Sequence, residues 1–313
     1  LFVKFERLIL TKTISSYSIN KQLIPNHLIK ELNVSKISDD LKYNLLKDGY
    51  LFIRNIYSKE DIKNAKDFIL KHLHKVGEVK DPYYDGIFSG LSFRRKIYPT
   101  KFELGKFWQK ISESNQLRKV INGKEITNLF ENIFKEKVAH FSFAWLRAVI
   151  KGKASPLHID HPYMNRGTDK LLSCWTPLSS IKKNEGTLFI LKNSHNWQDI
   201  KENFLDHDID LNHNKPGHIL ENTLDLVFRK KSFFLTSNFE PGDCLIFGMF
   251  TVHGSFDNNT TTGKIRLSCD TRFQPYSEPM DHRFSGENPS AHRGLGYSCL
   301  TSSTPLTENV KNK

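Results

Sequence analysis

The stretch Asp243–Phe256, DCLIFGMFTVHGSF, decides how the second half of the chain is read. It opens on the Asp of a Pro-Gly-Asp turn, runs through apolar and branched residues, and reaches His253 near its end. A run this short, bounded by turn residues and rich in aromatic and branched side chains, reads as a strand. Working outward, the same texture recurs in VAHFSFAWLRAVI (138–150), LLSCWTPL (171–178), GTLFILKNSH (186–195) and KIRLSCDTRFQP (264–275). Several short strands with turn punctuation predict a sandwich or jelly roll with helices packed outside it.

Upstream the texture is different. LKYNLLKD reads as a helix that stops at Gly49, and YLFIRNI reads as a strand. Ser58 then caps a helix in which Ile62, Ala65, Ile69 and Leu73 recur at helical spacing. EITNLFENIF (125–134) adds further helix. Residues 1–40 are weakly patterned and are expected to form an extension, and residues 41–313 a single domain. Its strand core is expected at about 138–275, with a polar, helix-leaning insertion or lid at about 197–232. The fold class expected is therefore α+β.

Composition bounds the function. The 313 residues are 38% hydrophobic and 26% charged, a globular profile, and no stretch approaches the roughly 20 apolar residues of a membrane span. The first twenty residues lack a clean apolar core and a small-residue cleavage site, so a secretory signal is not expected. Cys174, Cys244, Cys269 and Cys299 are scattered without a C-x-x-C pair. They read as small buried side chains in a reducing, cytoplasmic setting. The formal charge of +12 is spread over many lysines, with FRRK (93–96) the densest block, which makes an anionic small molecule a candidate ligand and gives no focused nucleic-acid patch. Arg94 and Arg95, beside the glycines of YYDGIFSG, are either substrate contacts or an exposed charged loop.

In SPLHIDHPY (155–163), His158 and Asp160 lie two apart, and on a strand they would share a face. With His253 they make two histidines and one carboxylate. That set suits Fe(II) with three adjacent coordination positions left open. Thirteen positions after His253 comes Arg266, whose guanidinium can hold a distant carboxylate through two hydrogen bonds. This is what 2-oxoglutarate requires when its keto-acid end meets the metal. Lys264 is the alternative anchor, and Arg272, about 20 Å further along an extended strand, ranks third. His161, His195 and His140 read as structural, and His72 and His74 as solvated.

The segments HID, VHGSFDNN and RLSCDTRFQP resemble the phytanoyl-CoA dioxygenase-like Fe(II)/2-oxoglutarate oxygenases. KDGYLFIRNIYSKEDI and DKLLSCWTPLSSIKKNEGTLFILKNSH resemble them too, in the family's order over roughly residues 41–285. The resemblance implies a double-stranded β-helix, the jelly roll of cupin-like proteins. It implies iron ligation by His158, Asp160 and His253, and 2-oxoglutarate binding by Arg266 and Ser255 with Trp175 alongside. The implied activity is a dioxygenase that consumes O2 and 2-oxoglutarate and hydroxylates an unactivated C–H of a small molecule, releasing succinate and CO2. Asp160 favours hydroxylation, since related halogenases lack this carboxylate, with desaturation and ring chemistry left open by the sequence. Asn193 stands where the family commonly has glycine before Ser-His, and the interval from His253 to Arg266 is longer than in some members. The rival expectations are a catalytically inactive jelly-roll binding protein and, ranked lower, an oxygenase acting on nucleic acid. Neither the substrate nor the oligomeric state is written in the sequence.

Overall fold

The computed structural model describes residues 17–152 and 155–308. Its strands are β1 (Ser18–Ile19), β2 (Gln22–Leu23), β3 (Ile29–Glu31), β4 (Tyr50–Ile53), β5 (Val138–His140), β6 (Trp145–Val149), β7 (Leu172–Pro177), β8 (Leu188–Leu191), β9 (Phe234–Thr236), β10 (Cys244–Gly248), β11 (His253–Ser255) and β12 (Arg266–Pro275). The helices are α1 (Leu41–Asp48), α2 (Lys59–Lys75), α3 (Arg94–Ile97), α4 (Lys101–Ser112), α5 (Asn115–Ile121), α6 (Lys124–Phe134), α7 (Gln198–Phe204) and α8 (Thr223–Arg229). None of the helices is long and apolar enough to cross a membrane among the described residues.

Two main sheets form the centre. The first runs β4-β10-β7-β12-β5, with β6 also pairing β12, all antiparallel. The second runs β11-β8-β9-β3, antiparallel except for the parallel β3–β9 pair.

Side-chain alternation along each strand explains the layering. Leu51, Ile53, Cys174, Cys244 and Ile246 face one way, into a large cluster with α2, α4, α5 and α6. Tyr50, Phe52, Trp175, Leu245 and Phe247 face the other way, where they meet Leu188, Ile190 and Leu235 of the second sheet. Phe189 and Leu191 point outward again, into a third cluster completed by Ile200 and Phe204 of α7 and by Leu226 and Val227 of α8. The order through the protein is thus helices, sheet, sheet, helices.

The upstream expectations hold in detail. The hydroxyl of Ser58 accepts from Asp61 N, capping α2, and Ile62, Ala65, Ile69 and Leu73 are all buried. Gly49 ends α1 with φ +78°, and a Cβ there would lie 2.1 Å from His195 Nδ1. Glycine is therefore required by conformation and by space.

Residues within the expected N-terminal extension are built into the body. β3 completes the second sheet, Ile24, Leu28 and Leu32 are buried, and Asp257 accepts from Ser18 Oγ and from the amides of Asn20 and Lys21. Two- and three-residue strands carry too little periodicity to be read beforehand. Residues 1–16 lie outside the described residues.

Arg94 is neither a loop charge nor a substrate contact. It is fully buried, paired with buried Glu78, and it donates to the carbonyls of Ser302, Ser303 and Thr304. Arg95 pairs with Glu308. Both arginines tie down the C-terminal segment, a partner too distant in sequence to be foreseen.

Candidate active site

His158 is not on a regular strand. It forms an isolated antiparallel bridge with His253, the first residue of β11. His158 N donates to His253 O at 3.0 Å, and His253 N returns the bond to His158 O at 2.9 Å. Directly paired residues project to the same side, so the two imidazoles sit side by side with centroids 4.1 Å apart. Asp160 joins them by a different route from the expected i, i+2 strand geometry. Its backbone is helical (φ −77°, ψ −22°) and leads into a short turn at His161–Tyr163. Its Oδ1 lies 3.9 Å from His158 Nε2 and 3.7 Å from His253 Nε2.

Each of the three groups is held from behind. His158 Nδ1 bonds to Pro156 O at 2.8 Å and His253 Nδ1 to Thr251 O at 2.9 Å. A carbonyl only accepts, so Nδ1 carries the proton and the Nε2 lone pair faces the shared space. Asp160 Oδ2 accepts from Ser173 Oγ and from Arg272 Nη2, the latter at 3.1 Å, which leaves Oδ1 for the same space. Burial lowers the pKa of His158 to about 3, and the neighbouring His253 adds to this. His253 is lowered by burial as well. Burial alone would raise Asp160, but the charge of Arg272 and then the two histidines outweigh it and keep the carboxyl ionised. The result is two neutral imidazoles and one carboxylate whose donor atoms lie within 4.8 Å of one another. This donor chemistry fits a divalent iron with open positions.

On one side of these residues Trp175, Leu188, Ser255 and Arg266 line a narrow recess. Arg266 is buried. Its Nε donates to Gly186 O at 3.0 Å and its Nη1 to Ser268 Oγ at 2.6 Å, and the guanidinium lies 5.9 Å from the centre of the Trp175 ring. Burial lowers its pKa to about 10, leaving it cationic at neutral pH. No carboxylate partner is found for it among the described residues. Ser255 Oγ accepts from Ser155 N at 2.9 Å, so its own hydroxyl hydrogen remains to be donated. Lys264 precedes β12, bridges to Ile87 and lines neither this recess nor the cavity beyond.

On the other side lies a cavity of about 200 Å³ bounded by Trp145, Arg147, Tyr163, Arg272, His292 and Leu300. Arg272, ranked last by distance along an extended chain, belongs to the site after all. It is buried, lines both spaces, and is committed to Asp160 rather than to a free carboxylate position. Arg147 bonds to Asp270 through Nε at 2.6 Å.

Arg147, Ser173, Tyr163 and His292 escaped sequence reasoning. A usable signal existed for β12. Arg266, Ser268, Asp270, Arg272 and Gln274 alternate with Leu267, Cys269 and Phe273, which is the mark of one apolar and one polar face in a buried strand. His292 carried no such mark. Among the histidines read as structural, His161 stacks on Phe250 at 4.7 Å and His195 packs against Gly49. Asn193 takes the left-handed conformation (φ +62°) that a glycine would adopt there.

The fold and this donor set are those of a 2-oxoglutarate-dependent dioxygenase, an enzyme class that uses iron, 2-oxoglutarate and O2. The chain belongs to the phytanoyl-CoA dioxygenase (PhyH) family, whose sequence pattern matches residues 45–267. Among its relatives, a 1-deoxypentalenic acid 11-beta-hydroxylase of Streptomyces arenae is 28% identical over 61% of this chain and 62% of its own length. The enzyme of the same name from Streptomyces exfoliatus is 24% identical over 84% of both chains. Human peroxisomal phytanoyl-CoA dioxygenase is 24% identical over 82% of this chain and 73% of its own. The fold is shared with the 2-oxoglutarate-dependent carbocyclase SnoK of nogalamycin biosynthesis, with TM-score 0.52, 14% identity, and coverage of 88% of this chain and 96% of that one.

Proposed function

We propose that this chain hydroxylates an unactivated C–H of a small-molecule substrate: substrate, O2 and 2-oxoglutarate give hydroxylated substrate, succinate and CO2. The observation that carries the reading is the convergence of His158 Nε2, Asp160 Oδ1 and His253 Nε2, each fixed from behind by a hydrogen bond on its other atom. These three would hold the iron on one face, and iron bound there supplies the O2 activation that side chains cannot. The two facing sheets are read as the halves of a double-stranded β-helix.

Arg266 and Ser255 are assigned to the far carboxylate of 2-oxoglutarate. Arg266 offers a buried cation without a carboxylate partner among the described residues, and Ser255 offers a hydroxyl proton beside it. Trp175 forms the wall that keeps the guanidinium in place and water away from the recess. Asp160 is kept ionised by Arg272, so it serves as a ligand and not as a proton donor.

The test is anaerobic. Fe(II) and 2-oxoglutarate are added to the protein and the visible spectrum is recorded. A weak charge-transfer band that is lost in His253→Ala and weakened in Arg266→Ala is the expected result. Folded protein that binds iron yet gives no band with 2-oxoglutarate would sink the proposal.

A further inference from the structure

The cavity beyond His158 is chemically lopsided. Trp145, Met164 and Leu300 give it apolar walls, while Arg147 places a guanidinium on one side. The Nε of that guanidinium is spent on Asp270, which leaves the edge carrying both Nη atoms without a hydrogen bond to that carboxylate. No other partner for that edge is found among the described residues. The side chain is 35% exposed although its partner Asp270 is only 8% exposed, and it lines this cavity as well as the recess of Arg266. A guanidinium presenting two parallel N–H groups is the standard receptor for a carboxylate.

The charges of the site point the same way. Arg272 is answered by Asp160 and Arg147 by Asp270, so Arg266 is the one buried site cation left without a carboxylate among the described residues. Under the proposed function, a divalent iron and the dianion of 2-oxoglutarate cancel each other. The loaded site then keeps one positive charge in surroundings where an unbalanced charge is costly. A single additional negative charge restores neutrality.

We infer that the substrate is a monocarboxylate with an apolar body, its carboxylate received by the outer edge of Arg147 and its body lying against Trp145, Met164 and Leu300. This rests on the oxygenase reading and adds the substrate class. At about 30 Å³ for each water-sized group, the 200 Å³ cavity holds roughly seven such groups. Hexanoate is therefore a fitting probe, hexanamide its neutral isostere and hexylamine its cationic counterpart.

The experiment uses anaerobic protein loaded with Fe(II) and saturating 2-oxoglutarate. Each probe is titrated in, following the charge-transfer band and tryptophan fluorescence. Hexanoate is expected to perturb both signals and to bind at least tenfold more tightly than hexanamide, with hexylamine weaker still. The paired variant Arg147→Gln/Asp270→Asn removes both members of that ion pair together, so neither is left without the other, and it is expected to keep the band while losing the preference for hexanoate. Equal binding of hexanoate and hexanamide to the unaltered protein overturns the inference without reference to any variant. So does hexanoate binding that weakens as 2-oxoglutarate is raised, because the probe then occupies the co-substrate position. A folded paired variant that loses the band also overturns it, since Arg147 would then serve the co-substrate. Absence of the band in the unaltered protein removes the oxygenase reading itself, and this inference with it.

Discussion

His158 and His253 are joined through their backbones, each amide donating to the other's carbonyl at 3.0 and 2.9 Å. The separation of the two imidazoles is thus set by main-chain pairing and not by a metal. The second bonds to Pro156 O and Thr251 O then fix the ring orientation. Such a site is preorganised, which reduces the ordering cost of taking up an ion.

Metal removal should therefore leave the protein folded. Exhaustive chelation is expected to preserve the far-ultraviolet circular dichroism. It should lower the melting midpoint only by the mass-action contribution of the ion, about 2.7 kcal/mol at a hundredfold excess over Kd. Unfolding of the chelated protein at 25 °C would contradict the backbone-built site.

Arg272→Met should be costly in two ways. It leaves the Asp160 carboxylate buried without its cation, a change worth about 3–5 kcal/mol in urea unfolding. It also leaves Ser173 Oγ as the one donor to Oδ2 among the described residues, so Fe(II) affinity measured by anaerobic titration should change more than tenfold. A variant with unaltered stability and affinity would show the ion pair to be dispensable.

Arg94→Met should loosen the C-terminal segment. Its guanidinium holds Glu78 and three consecutive carbonyls from Ser302 to Thr304, and Leu306 N donates to the same glutamate. The expected loss is about 3–5 kcal/mol. Limited proteolysis read by mass spectrometry should show new cleavage after about residue 295, and an unchanged cleavage pattern would refute the anchoring role.

Acid should destabilise the fold partly through His140. Burial lowers its pKa below 6.5, while its bond to the Phe141 carbonyl only partly opposes this. The folded state then binds fewer protons than the unfolded one, so stability is complete above the unfolded value and is lost as pH falls below it. The limiting slope for one such group is about 1.4 kcal/mol per pH unit. Urea midpoints at pH 7.5, 6.5 and 5.5 should fall less steeply for His140→Leu than for the unaltered protein.

Most of the frame was legible in the sequence, and for physical reasons. Most strands of the larger sheet read as short apolar runs, and α2 announced itself through Ser58 and its buried stripe. The stretch 243–256, read as one strand, divides into β10 and β11 of different sheets, and β9 went unread. The cluster of His158, Asp160 and His253 was legible because its members stand in short motifs. What lay hidden depended on contacts between distant segments. Ser173 and Arg272 meet Asp160 across 13 and 112 residues, Arg94 meets Ser302 across 208, and no local pattern carries such information. The strand geometry expected for His158 and Asp160 was the wrong local picture, because a one-residue bridge followed by a helical residue brings two side chains together as well as a strand does.

The two sides of the site draw on different elements. Arg266, Ser173 and Trp175 hang from β12 and β7, central strands of the larger sheet, whose amides should exchange with solvent only when the whole domain opens. His292 and Leu300, on the far wall of the cavity, come from short turns at residues 292–303, beyond the family match that ends at 267. On the proposed reading, substitutions in the C-terminal turns reshape that wall of the cavity while His158, Asp160, His253 and Arg266 stay as they are. What fits the cavity can thus change apart from the residues that would hold the metal.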